Sequence, residues 1–107
     1  MYVYSFEKLD VWIEAKEFTK TLYKLTSGFP DLEKYVLVSQ LRRSTISICS
    51  NIAVGSARST YKDKAHFTVM AFSSAVEVLN QIIISFELDF ITETQPGFKN
   101  FIGEYYK

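Results

Sequence analysis

The sequence predicts a single soluble all-α domain, residues 1–107, folded as an antiparallel up-and-down four-helix bundle with three long helices and a short C-terminal fourth. Three observations point there. Apolar residues recur at three- and four-residue steps, the spacing that stacks side chains on one helical face. Four Gly and two Pro in 107 residues leave long stretches without a breaker. The breakers fall between the periodic stretches, so the loops are short and successive helices must run antiparallel. A chain of this length buries one core, with modest reserves of stability as a monomer.

The first helix is expected from about Phe6 to Thr26. Phe6, Leu9, Trp12, Ala15, Phe18/Thr19, Leu22 and Leu25 form its stripe, which puts Trp12 in a buried position. Ser5 can cap its start. Ser27-Gly28-Phe29-Pro30 closes it, with Gly where a left-handed cap residue belongs and Pro just beyond. Asp31 then caps a second helix, from about Leu32 or Tyr35 to Ala53. It buries Leu37/Val38, Leu41, Thr45, Ile48 and Ile52 and carries Ser39, Arg42, Arg43, Ser47, Ser50 and Asn51 on the opposite side. Ser, Thr and Ile are middling helix formers, so packing must hold this helix.

Gly55-Ser56 ends the second helix, and the small residues from Ser50 to Ala57 allow two backbones to approach closely. They lack the spacing of a phosphate-binding loop. Thr60-x-x-Asp63 opens a third helix, about Tyr61 to Phe90, expected to be the most buried element. From Ala65 to Ile91, 17 of 27 residues are apolar and they cover more than one face. One side is expected to meet the other helices and another side a neighbouring subunit. Its most apolar stretch, Val78 to Leu88, is interrupted by Asn80, Gln81 and Glu87. It falls short of the roughly 20 apolar residues of a membrane span, so no membrane is expected. After Pro96-Gly97, Phe98, Phe101 and Tyr105 make a short stripe for the fourth helix.

One cysteine, Cys49, excludes an internal disulfide and fits a reducing cytoplasm; on the apolar side of its helix it reads as a small core residue. Met1 to Glu7 has no basic stretch followed by an apolar run, so no signal peptide is expected. His66 is the one histidine and lacks companions for a metal site or a catalytic relay. No enzyme activity, metal or cofactor is therefore expected.

Net charge is zero, but it is unevenly spread. Between Val36 and Val76 stand Arg42, Arg43, Arg58, Lys62 and Lys64 against one acid, Asp63. Two readings fit: a solvated polar region between helices, or a basic patch for a polyanion. Arg42 and Arg43 lie ~100° apart around a helix, so one can reach a phosphate while the other packs inward. Arg58, Lys62 and Lys64 flank a helix N-terminus, whose dipole and free N–H groups suit an anion. Glu77, in the middle of an apolar helix, needs a partner, and Arg42 or Arg43 is the natural mate for a structural ion pair.

Leu41 to Arg58 reads LRRSTISICSNIAVGSAR. This segment resembles the signature of a bacterial family of small four-helix-bundle proteins, first met as reading frames in intervening sequences of 23S ribosomal RNA genes. The similarity extends to Phe6-Glu7-Lys8-Leu9, Val11-Trp12, Phe29-Pro30, Leu37-Val38-Ser39-Gln40 and the run Ser74 to Leu79. It implies a bundle that assembles into a ring, often a pentamer, with a poorly defined activity. A related branch, the accessory proteins of diversity-generating retroelements, binds nucleic acid through a basic surface. This chain departs from the family at Cys49, where relatives often have Pro, at Val54, where they often have Glu, and in a shorter C-terminal tail. The expected partners are thus the chain itself and RNA or DNA. The competing reading is a structural or protein-interaction module that binds no nucleic acid.

Overall fold

The computed structural model describes residues 4–95 and 97–104, with side chains as far as Phe101; Pro96 and Tyr105 fall outside the described residues. The helices are α1 (Asp10–Thr26), α2 (Ser39–Ser56), α3 (Tyr61–Glu87) and α4 (Phe98–Glu104). A 3₁₀ turn, Ser5–Lys8, precedes α1, and a 3₁₀ turn, Asp31–Glu33, leads into a π-helical turn, Lys34–Val38, that runs directly into α2. The architecture is the expected all-α bundle with a short fourth helix. α2 lies between α1 and α3, and α4 leans on α1.

The helix ends show why two boundaries differ from the sequence pattern. The Phe6–Thr26 helix is broken at Leu9, whose extended backbone separates the 3₁₀ turn from α1. Trp12, expected to be buried, is half-buried: its ring stacks edge-on against Phe6 at 5.0 Å, and the Lys16 ammonium sits 5.2 Å from its centre. α3 stops three residues before Phe90 because Asp89 turns left-handed, with φ 61°. The Phe90 N–H then donates to the Ser85 carbonyl at 2.9 Å and the Asp89 N–H to the Phe86 carbonyl at 3.1 Å, the two closing bonds of a Schellman ending.

Gly28 does not adopt the left-handed backbone expected of a cap. It is needed for room: a Cβ there would lie 2.6 Å from Cγ of Gln95. Gln95 is buried, donates from Nε2 to the Gly28 carbonyl (3.2 Å) and the Phe90 carbonyl, and accepts from the Thr92 N–H at 2.7 Å. It ties the loop before α4 to the loop after α1. Gly97, with φ 83°, is the glycine whose conformation matters.

The core sits at one end of the bundle. Leu22, Leu25, Phe29, Val38, Leu41, Val78, Ile82, Ile91 and Phe101 form it, from the last turns of α1, the start of α2, the second half of α3 and α4. α4 has seven residues and covers only this end. Beyond Phe101 the groove between α1 and α3 stays open as an apolar cavity of about 340 Å³ lined by Val11, Ala15, Ile48, Ile52, Ala75 and Leu79.

α3 has the two-sided apolar surface expected of it, but it is not the most buried element. It buries Ala71, Val78 and Ile82 on one side and presents Val69, Met70, Phe72, Val76, Leu79, Ile83 and Ile84 to solvent on another, so within one chain it is no more buried, residue for residue, than α2. Taken over its whole length, it is also long and apolar enough to cross a membrane by length and composition, with a mean hydropathy of 1.6 over 18 residues. The eleven-residue stretch judged from sequence understated this. Its buried face in this fold, however, includes Ser74, Gln81 and Ser85.

Candidate nucleic-acid interface

Arg42 and Arg43 leave α2 in different directions and meet different fates. Arg42 is half-buried: Nε donates to Thr26 Oγ1 at 3.0 Å and Nη2 to the Tyr23 carbonyl at 3.1 Å, with the guanidinium 4.5 Å from the Tyr23 ring centre. A cation from α2 thus adds to the Ser27 N–H already bonded to this carbonyl in the last turn of α1, a favourable place for positive charge. Arg43 is exposed and makes no hydrogen bond or ion pair among the described residues.

Arg43 stands on the ridge between two clefts. The first, about 480 Å³, is lined by Tyr23, Lys34, Tyr35, Val38, Ser39, Arg42, Arg43 and Ile46. It carries three cations and no carboxylate. The second, about 300 Å³, is polar and is lined by Gln40, Arg43, Ser44, Ser47, Ser74 and Glu77. Across it α2 and α3 exchange side-chain bonds. Ser74 Oγ donates to Ser47 Oγ (2.9 Å), Ser44 Oγ to Glu77 Oε2 (3.4 Å), and Gln81 Nε2 to Gln40 Oε1 (3.2 Å). Gln81 Oε1 is buried with no partner among the described residues.

The expected ion pair of Glu77 with Arg42 or Arg43 is not formed. Glu77 is exposed and bonds Ser44, while the ion pair present among the described residues is Lys20–Glu17 at 3.5 Å. The physical reason is that α3 turns the Glu77 position towards the rim of the polar cleft, where water solvates the carboxylate and no mate is required.

Arg58, Lys62 and Lys64 lie elsewhere. Arg43 is near the start of α2 and Arg58 just beyond its end; at 1.5 Å per residue that is roughly 20 Å. The five basic residues therefore form two clusters at opposite ends of α2. At the second, the Arg58 guanidinium lies 4.9 Å from the Phe67 ring centre and Lys64 lines the open mouth of the α1–α3 groove. Thr60 Oγ1 accepts from the Asp63 N–H at 3.1 Å, capping α3 as its sequence predicts. Gly55 is buried where α2 and α3 draw close; a Cβ on it would lie 2.8 Å from Phe67 Cβ.

Lys34 and Tyr35 are the members of the first cleft that sequence reasoning missed. Lys34 sits after Asp31 and Glu33, where the local charge is net negative, and Tyr35 read as the start of a helix. The π-helical turn, which no residue pattern announces, sets both beside Arg43. His66 is exposed against Phe67, and Cys49 is half-buried with Sγ 3.5 Å from Thr19 Oγ1. Among the described residues no three His, Cys, Asp or Glu side chains gather as metal ligands.

No curated protein matches the chain. The model of one protein family, described as 23S rRNA-intervening sequence protein, matches residues 7–105. That span takes in all of α1 to α4, including both clefts and the exposed face of α3. The helical bundle agrees with it, and the chain belongs to the 23S rRNA-intervening sequence protein family.

Proposed function

We propose that this chain is a non-catalytic, self-associating helical bundle that presents basic surface to nucleic acid. The observation that carries self-association is the exposed stripe of α3. Val69, Phe72, Val76, Leu79 and Ile83 are 63, 59, 52, 51 and 40% exposed and follow one another at alternating three- and four-residue steps. That is the spacing of a seam between packed helices, and five large apolar side chains in a row exceed what scattered surface residues explain. A second copy is the favoured occupant, and a ring requires this face to meet a different surface on the next copy. The nucleic-acid part is supported by Lys34 and Arg43 at one end of α2 and Arg58, Lys62 and Lys64 at the other, which assembly would repeat in every subunit.

Sedimentation at micromolar concentration is expected to report several subunits. Val76→Glu with Leu79→Glu should yield a monomer that keeps its helical circular dichroism. A wild-type monomer would overturn the reading, as would flotation with lipid vesicles, which would give the face to a membrane. For nucleic acid, a fluorescent strand should bind at ~50 mM salt and release as salt rises, because each neutralised phosphate frees a counterion. Absence of any shift would favour the protein-interaction reading.

A further inference from the structure

We infer that the cleft at the start of α2 is a stacking site for unpaired nucleotides, with Tyr35 as the platform and Lys34 and Arg43 as phosphate contacts. The inference rests on the nucleic-acid reading above and names where and in what form the strand is held. Tyr35 is 84% exposed, and Lys34 Nζ lies 5.5 Å from its ring centre. An exposed tyrosine alone is ordinary. Here it lines a cleft of about 480 Å³ together with Lys34 and Arg43, and no carboxylate shares that lining.

Two further features set the cleft apart from a solvated helix face. Its near wall is the π-helical turn Lys34–Val38, a rare backbone form that recurs at functional sites. Its far wall is held still, because Arg42 is bonded to Thr26 and Tyr23 and cannot swing into solvent. A fixed wall, an accessible aromatic ring and two cations without carboxylate partners are the elements of single-strand binding. Stacking is available to every base because each has a π-face, and cations follow the backbone. In a duplex the base faces are already stacked, so the tyrosine has nothing to take. The ligand class is therefore an unpaired polynucleotide, read with little sequence preference.

The test is fluorescence anisotropy of a labelled twelve-nucleotide strand, as RNA and as DNA, beside a blunt duplex of the same sequence. Wild type should prefer the single strand, and the two strand arms show which sugar is accepted. Tyr35→Ala should weaken single-strand binding roughly 5- to 150-fold, the range seen when a stacking aromatic is truncated, and leave the salt slope unchanged. Tyr35→Phe should restore it, since the ring and not the hydroxyl stacks. Arg43→Gln should lower the salt slope by about 0.7, one phosphate on a single strand. These side chains are exposed, so circular dichroism and subunit number should stay as in wild type. Duplex preference, or wild-type affinity in Tyr35→Ala with loss in a triple Arg58→Gln, Lys62→Gln, Lys64→Gln variant, overturns the inference while the nucleic-acid reading survives. No binding by wild type overturns both.

Discussion

Arg42 and Arg43 are sequence neighbours whose stability effects should differ by more than their chemistry suggests. Arg42→Ala removes two charge-assisted bonds from a half-buried position, although the Thr26 hydroxyl keeps its bond to the Leu22 carbonyl and the Tyr23 carbonyl keeps the Ser27 N–H. A loss of about 1–3 kcal/mol in urea unfolding is expected. Arg43→Ala touches nothing internal and should stay within about 0.5 kcal/mol. Glu77→Gln should be equally mild, because the carboxylate is exposed and its bond to Ser44 is long at 3.4 Å. The sequence showed that two adjacent arginines must diverge around a helix, yet which one turned inward depended on the phase of α2, and the π turn sets that phase. Leu22 and Leu25 were legible as core from the stripe of α1, and Leu25→Ala should cost about 2–5 kcal/mol. Trp12 belonged to the same stripe but sits where α4 does not reach, so Trp12→Ala should cost less than Leu25→Ala in the same assay.

At the scale of elements, helix existence was written in the periodicity and helix ends were not. Thr60 was readable because an N-cap is a side-chain device and its residue types announce it. The end of α3 was hidden, because a Schellman ending normally carries Gly and here Asp89 takes the left-handed position. Asp tolerates that backbone at some cost. Asp89→Gly should therefore stabilise the fold by about 0.5–1 kcal/mol in thermal or urea unfolding. Gly97→Ala should do the opposite. Its φ of 83° is poorly available to alanine, and the added Cβ would lie 3.2 Å from both Lys24 Cβ and the Thr21 carbonyl. A loss of at least 1 kcal/mol in urea unfolding is expected, with amide hydrogen exchange rising in α4 before the rest unfolds. The polar cleft was also out of view. Ser47 fell on the polar side of its helix and Ser44 and Ser74 drew no reading, and only the pairing of α2 with α3 turned them into partners.

For the whole molecule, the apolar surplus of the sequence lies on α3, where its composition put it. Of the residues that made α3 look like the most buried helix, one chain covers Ala71, Val78 and Ile82 and leaves Val69, Phe72, Val76, Leu79 and Ile83 uncovered. Composition counts apolar side chains without saying whether the same chain supplies their cover. The core at the α4 end and the open groove at the other end divide the 44 Å long molecule into a closed half and an unfinished half. That division makes folding a question of dose. If the α3 stripe closes only against other copies, unfolding and dissociation are one equilibrium, and the midpoint must move with protein concentration. For a five-membered assembly each tenfold dilution should remove about 1 kcal/mol per subunit, since one tenfold step is worth about 1.4 kcal/mol and dissociating one assembly of five subunits adds four independent particles. Melting curves at three concentrations a decade apart should therefore shift in order, whereas superimposed curves would mean the closed half alone sets the stability. A cell making little of the protein would then hold it partly unfolded, and its abundance would be governed by a threshold in synthesis rate.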